Sequence, residues 1–157
     1  MNIGVDLTVN DATAKFTLGQ IMSKPDGGVM KTYKYVQYNA ATAAVAGVAG
    51  EVAYYANVAT GNATATIVTS DLSDSDLVGA GVLQASLTDD YYGWVQVSGP
   101  ATLSIALDGS PADGAALTPT GASDGTLDVV VTTVALMNCC AYSIDTSAKI
   151  ILCDFAH

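Results

Sequence analysis

Tyr91-Tyr92-Gly93-Trp94-Val95-Gln96-Val97-Ser98-Gly99 is the stretch on which the fold turns. Side chains alternate between the two faces of a β-strand, so Tyr91, Gly93, Val95 and Val97 share one side while Tyr92, Trp94 and Gln96 share the other. Both sides carry large or apolar groups, and both therefore need cover. A central strand is the expectation, followed by a turn at Gly99-Pro100. The stretch holds the only tryptophan of the chain, and Gly93 and Trp94 are read as structural residues.

Upstream, Thr88-Asp89-Asp90 supplies a turn, and residues 78–87 are small enough for close approach of neighbouring backbones. Their two glycines match neither G-x-G-x-x-G nor a Walker loop, so phosphate cradling is not expected. Residues 63–69 alternate Thr with Ala and Val, a strand with one wet face. Residues 51–55 read as another strand, and residues 40–50, AATAAVAGVAG, as an extended loop before it. Pro25-Asp26-Gly27-Gly28 is a strong turn signal. It leads to residues 31–38, where Tyr33, Tyr35 and Gln37 face one way and Lys34, Val36 and Tyr38 the other. Residues 14–22 read as a first strand. Before it, residues 2–10 alternate Ile3, Val5, Leu7 and Val9 with smaller or polar side chains.

Downstream, residues 102–107 alternate as a strand closed by Asp108-Gly109-Ser110-Pro111, and Asp113-Gly114 and Asp124-Gly125 mark further turns. The near-continuous apolar run of residues 127–136 predicts a strand buried on both sides. Residues 141–144 and 149–155, with a turn at Asp145-Thr146, predict a closing hairpin. Many short strands at this spacing give an all-β, single-domain antiparallel β-sandwich or barrel, jelly-roll-like, with an extended N-terminal arm. Residues 1–23 form the arm and first strand, and residues 24–157 the sandwich or barrel domain.

Composition limits function. Half of the 157 residues are hydrophobic and 13% are charged, which suits a folded domain rather than disorder. No apolar run reaches the roughly 20 residues of a spanning helix, so no membrane partner is expected. The first residues lack the basic-then-apolar pattern of a secretory signal, so the chain is expected to stay where it is made, and Asn62-Ala63-Thr64 is read as a chance sequon. Fifteen acidic residues face five lysines and no arginine, a formal charge of −10. Direct nucleic-acid binding needs a basic face and is not expected.

Candidate chemistry is sparse. The one histidine, His157, sits at the last position, so a Ser-His or Cys-His site is not expected. Asp89-Asp90 are read as turn residues rather than a paired acid and base. Asp71, Asp74 and Asp76 could ligate Ca²⁺, but the glycine and closing glutamate of a calcium loop are missing, so a solvated turn is the reading. Cys139, Cys140 and Cys153 lack metal spacing and read as buried reduced thiols, with a disulfide from Cys153 to either neighbour as the alternative. No enzyme activity, cofactor or metal is expected.

The opening stretch, with its Gly- and Ala-rich lead-in at residues 78–87, resembles the small head decoration (cement) proteins of tailed bacteriophages. In that family a similar turn-aromatic-Gly-Trp-Val-Gln-Val-Gly string recurs in a mid-chain β-barrel or sandwich. An Ala/Val segment ending in Gly plus an acidic residue, here Gly50-Glu51, precedes a strand. The match covers residues 78–100, and elsewhere only β-rich character and size. The resemblance implies a structural virion protein on the capsid exterior, assembled in the bacterial host cytoplasm. Its partner would be the major capsid protein, and it would be a homo-oligomer, a trimer or else a dimer.

Contacts on that reading come from the arm through Ile3, Val5 and Leu7, which would add a strand to a neighbouring subunit, the alternative being that the arm pairs within its own domain. They also come from Tyr33, Tyr35, Tyr38, Tyr54 and Tyr55, since tyrosine combines large contact area with a polar tip; the alternative for the tyrosines of residues 31–38 is that they line a core edge. The alternative is a non-catalytic β-sandwich binding module for carbohydrate or host-surface recognition, with Tyr91, Tyr92 and Trp94 as a stacking platform. Exposed, coplanar aromatics would favour it. A buried Trp94 would count against it.

Overall fold

The structure is a computed structural model, and it describes residues 4–39, 45–57, 65–136 and 138–157. Ile3, residues 40–44 of the Ala-rich loop and the Asn62 sequon lie outside the described residues. The chain is all-β, with ten strands and one helical turn among the described residues. β1 (Ile21–Asp26) and β2 (Val29–Tyr38) form a hairpin. Its turn is Gly27-Gly28, both at positive φ, a region glycine enters freely. Then come β3 (Val52–Ala56), β4 (Ile67–Thr69), β5 (Ser75–Leu83) and β6 (Tyr92–Thr102). The C-terminal part holds β7 (Ala116–Thr118), β8 (Asp128–Val129), α1 (Thr133–Leu136), β9 (Ala141–Asp145) and β10 (Ile150–Asp154).

Five strands close into a ring in the order β2-β4-β3-β5-β6, because β6 pairs back onto β2 over Thr32 to Gln37. Closure removes the edges that an open sheet leaves. All the ring pairs are antiparallel except β2–β4, which is parallel. The expectation of a wholly antiparallel sheet is corrected there. β3 lies between β2 and β4 in chain order, and β4 runs alongside β2 rather than against it.

Register places Val36, Tyr55, Val68, Leu83 and Val95 on one side of the ring strands, and all five belong to the main buried cluster. That side is the barrel interior. Gly81 lies on it at φ +146, and a Cβ there would stand 2.8 Å from the Gln96 carbonyl oxygen. The small residues of β5 thus permit the close approach expected of residues 78–87.

Two layers cover the outside. Over β3 and β5 lies the C-terminal part, with Tyr54 Oη donating to the carbonyls of Ser123 (3.2 Å) and Thr126. Over β2 and β6 lies a strap of residues 4–20, whose Val5, Leu7, Val9, Phe16 and Leu18 pack on Met22, Tyr33, Tyr35 and Trp94. The open sheet continues from the barrel through β10, β9, β7 and β8, bonded to the lower half of β6.

β6 is the central strand expected, with Trp94, Val95 and Val97 fully buried. It does not stop at Gly99-Pro100. The strand runs on to Thr102, pairing Gly99 with Cys153 and Pro100 with Leu152. Gly99 takes φ +90 beside a register shift, and proline is tolerated where a bulge leaves no ladder donor to satisfy. The Gln96 side chain ties this irregularity down, its Nε2 donating to the carbonyls of Ser98, Gly99 and Pro100 at 3.2, 3.1 and 2.9 Å.

Other boundaries moved too. Residues 102–107 are a loop after the first position, and residues 14–20 form part of the strap rather than a strand. The division at residues 23 and 24 falls inside β1. The apolar run 127–136 yields only the two-residue β8 and a helical turn, and Val131 is 77% exposed. A β-forming composition needs a partner strand, and β7 offers β8 just two paired residues. Residues 63–69 provide β4 at their end, and Thr66 and Thr69 are buried, so that strand has no wet face.

Candidate functional site

The arm proposed for a partner rests on its own domain. Val5 and Leu7 alternate with exposed neighbours, as their sequence pattern implies, but they pack on the strap face of β2 and β6. The strap is held by reciprocal backbone bonds between Asp11 and Tyr92, by Asn10 to Thr88, and by Gly19 N–H to the Tyr35 carbonyl. Phe16 sits edge-on to Tyr35 and Trp94, with ring centroids 5.2 and 5.3 Å away.

The five tyrosines named as contacts are core residues. Tyr35, Tyr38 and Tyr54 are fully buried, and Tyr33 and Tyr55 nearly so. The physical reason is the second layer on each side of the barrel. Strands that look half-exposed by composition are covered outside as well as inside. The hydroxyls of Tyr35, Tyr38, Tyr54 and Tyr55 still find partners, as those of buried tyrosines usually do. Tyr38 donates to the Val45 carbonyl at 2.7 Å, and Tyr55 to the Ala156 carbonyl at 2.8 Å. Burial pushes all five phenols above their ordinary value, Tyr55 to about 12. Beside Tyr55, the buried Lys34 donates from Nζ to its hydroxyl at 3.0 Å, and desolvation lowers the Lys34 ammonium.

The stacking platform is absent for the same reason. Trp94 is fully buried, and Tyr92 is half-buried and stacked on Tyr35 at 6.4 Å. The acidic turn after β4 is an Asx turn: Asp71 Oδ1 accepts from Ser73 N–H and Oγ at 2.9 and 2.7 Å. Cys140 and Cys153 are buried free thiols, and burial pushes both up, Cys153 to about 12. A cleft of about 350 Å³ lies between Gly79, Cys139, Asp154 and His157. The imidazole Nδ1 there is 2.9 Å from the Phe155 carbonyl. Among the described residues no three His, Cys, Asp or Glu side chains converge as a metal would require.

What remains open to solvent is one face of the open sheet. Register sets Pro25 opposite Met30, Pro100 opposite Leu152, Leu152 opposite Tyr142, and Tyr142 opposite Ala116. A Cβ on Gly99 would stand 3.0 Å from the Met30 carbonyl oxygen, so the backbones of β2 and β6 approach closely there. Met30 is 60% exposed, and Leu152, Tyr142 and Ile144 are 43, 43 and 45% exposed. Contiguous apolar side chains on a surface mark contact regions, whereas single ones are ordinary. Sequence reading passed over these residues. The alternation within β10 carried the signal, since Ile151, Cys153 and Phe155 point inward and Leu152 and Asp154 outward.

Fold and surface together define a class: an all-β protein built on a small closed barrel, with an exposed apolar sheet face. In comparisons with known proteins, no family model, no curated protein and no solved structure matches the chain.

Proposed function

We propose that the chain is a structural virion protein, a decoration or cement protein that binds the outside of a phage head and stabilises contacts between major capsid protein subunits. The observation that supports this reading is the place of the resembling stretch. It forms β6, which pairs with β2, β5 and β10 and joins barrel to open sheet. An exposed apolar face on a rigid β-scaffold suits adhesion to a repeating surface. The surplus of negative charge disfavours stray contact with nucleic acid.

Two finer features belong to the same proposal. The barrel is of jelly-roll-like kind, and the strap is the arm: residues around Val5 and Leu7 leave their seat on the capsid and add a strand to a neighbouring subunit. The protein works as a homo-oligomer, a trimer first and a dimer second, placed on capsid symmetry axes.

Quantitative mass spectrometry of virions from the phage that encodes the chain tests this directly. Copies in a simple ratio to the major capsid protein are expected. Absence from the virion, or a few copies only, refutes the cement role.

A further inference from the structure

Of the five buried tyrosines, Tyr33 alone has a hydroxyl without a partner among the described residues, although the residue is only 3% exposed. Such a hydroxyl is answered by an ordered water or by a ligand. Tyr33 borders a pocket of about 330 Å³ between residues 5–8 of the strap and the β1–β2 hairpin. Register puts Met22 opposite Tyr33 and Lys24 opposite Lys31, so both lysines lie on the strap side of the hairpin with Tyr33. Thr8 donates to Asp6 Oδ1 from N–H and Oγ1 at 2.9 and 2.7 Å, and Lys31 pairs with Asp26 Oδ2 at 2.7 Å. These hydrogen bonds hold both carboxyls below their ordinary value, and Lys24 adds to the effect on each. Gln84, which also lines the pocket, donates from Nε2 to the Val82 carbonyl at 2.9 Å. Asp6 Oδ2, Asp26 Oδ1 and Gln84 Oε1 accept from no group among the described residues.

We propose that this pocket binds one neutral sugar residue. Its charges select that class, since Asp6 and Asp26 are balanced by Lys24 and Lys31. A charged ligand finds no net attraction there. A neutral ligand with several hydroxyls matches the wall group by group: it donates to the uncommitted oxygens of Asp6, Asp26 and Gln84 and accepts from Lys24 and Tyr33. Burial pushes the Tyr33 phenol up, so it stays neutral and can both donate and accept. Val5 and Leu7 add apolar surface for the C–H face of the ring. The volume lies at the small end of the roughly 300–1,000 Å³ of ligand pockets, which suits one ring rather than an extended chain.

Titration of the purified chain, followed through the backbone amide resonances of Thr8, Tyr33 and Gln84, tests the site. The probes are glucose, galactose, mannose and N-acetylglucosamine, each to about 50 mM, with glycine, sodium acetate and methylammonium chloride as charged controls. At least one sugar should shift these resonances to saturation, with a Kd of about 1–10 mM. Tyr33→Phe should raise that Kd about three- to tenfold. Its melting temperature should stay within about 2 °C of the wild type, because the hydroxyl has no partner to lose. Lys24→Met, at an exposed position that does not endanger folding, should weaken binding as well. The methyl glycoside of the sugar that binds separates two sources: retained affinity marks the end of a glycan and lost affinity a free sugar, and either upholds the site.

Absence of a saturable shift with all four sugars overturns the proposal and leaves water as the partner of the phenol. Tighter binding of glycine, acetate or methylammonium than of every sugar overturns the neutral class. Sugar binding that neither substitution weakens lies elsewhere on the molecule and overturns this pocket. A Tyr33→Phe chain that melts more than about 2 °C lower shows that the hydroxyl is already engaged in the fold, which removes the ground for the site. The site does not depend on the capsid role, which the virion copy count tests separately.

Discussion

Phe16→Ala tests whether the strap is an integral layer. Truncating a fully buried phenylalanine costs about 3–5 kcal/mol. Phe16 is half-buried, so about 2 kcal/mol follows from its lost burial and the gap left behind. Its edge-on contacts with Tyr35 and Trp94 add about 1 kcal/mol beyond area. The sum, about 3 kcal/mol, is a large share of the roughly 5–15 kcal/mol that holds a domain together. At about 2–4 °C per kcal/mol for a chain of this size, the melting temperature should fall by about 6–12 °C. The single tryptophan makes the local effect readable: its emission should shift to the red and become open to acrylamide. A fall under about 2 °C with Trp94 emission unchanged would show that the strap does not seal this face. An unchanged melting temperature with an exposed Trp94 would show it lies outside the cooperative unit.

Three further substitutions probe the barrel. Gln96→Leu removes the amide that holds three carbonyls at the β6 bulge and should cost about 2–3 kcal/mol in denaturant unfolding; no loss would mean those carbonyls are satisfied otherwise. Gly81→Ala sets a Cβ 2.8 Å from the Gln96 carbonyl oxygen and 2.9 Å from the Val95 Cβ at a strained φ, so a loss of more than about 3 kcal/mol is expected. A neutral Gly81→Ala, measured in the same way, would contradict the tight approach of β5 and β6. Lys34→Met removes a buried ammonium whose affinity for its proton is lowered by desolvation. The folded chain releases that proton before the unfolded chain does, so wild-type stability should rise with pH on the way up to the ordinary lysine value. Thermal melts from pH 7 to 9.5 should show this rise in the wild type and not in Lys34→Met; parallel curves would refute it.

Much of the fold was legible because alternation is a local property. The pattern of Tyr92, Trp94 and Gln96 against Gly93, Val95 and Val97 called for cover on both faces, and β6 has it. The β1–β2 and β9–β10 hairpins followed from turn chemistry beside apolar runs. What escaped depends on partners distant in sequence. Pro100 stays in a strand because Gln96 and Leu152 meet it there, and no local signal distinguishes that from a Gly-Pro turn. Residues 127–136 have the composition of a buried strand but lack a neighbour long enough to pair with. The tyrosines were misplaced because amphipathic residues suit a surface and a two-sided core alike, and the choice lies with the strap and the C-terminal layer.

Ring closure has a kinetic consequence. β2 and β6 meet across about 60 residues of chain, and no local hairpin can substitute for that contact, so loop entropy must be spent before the barrel gains any interior. The rate of folding should therefore depend on residues at the β2–β6 seam, such as Val36 and Val95. The strap can seat only on a seam already formed. Weakening it, as at Phe16, should hasten unfolding while leaving the folding rate almost untouched.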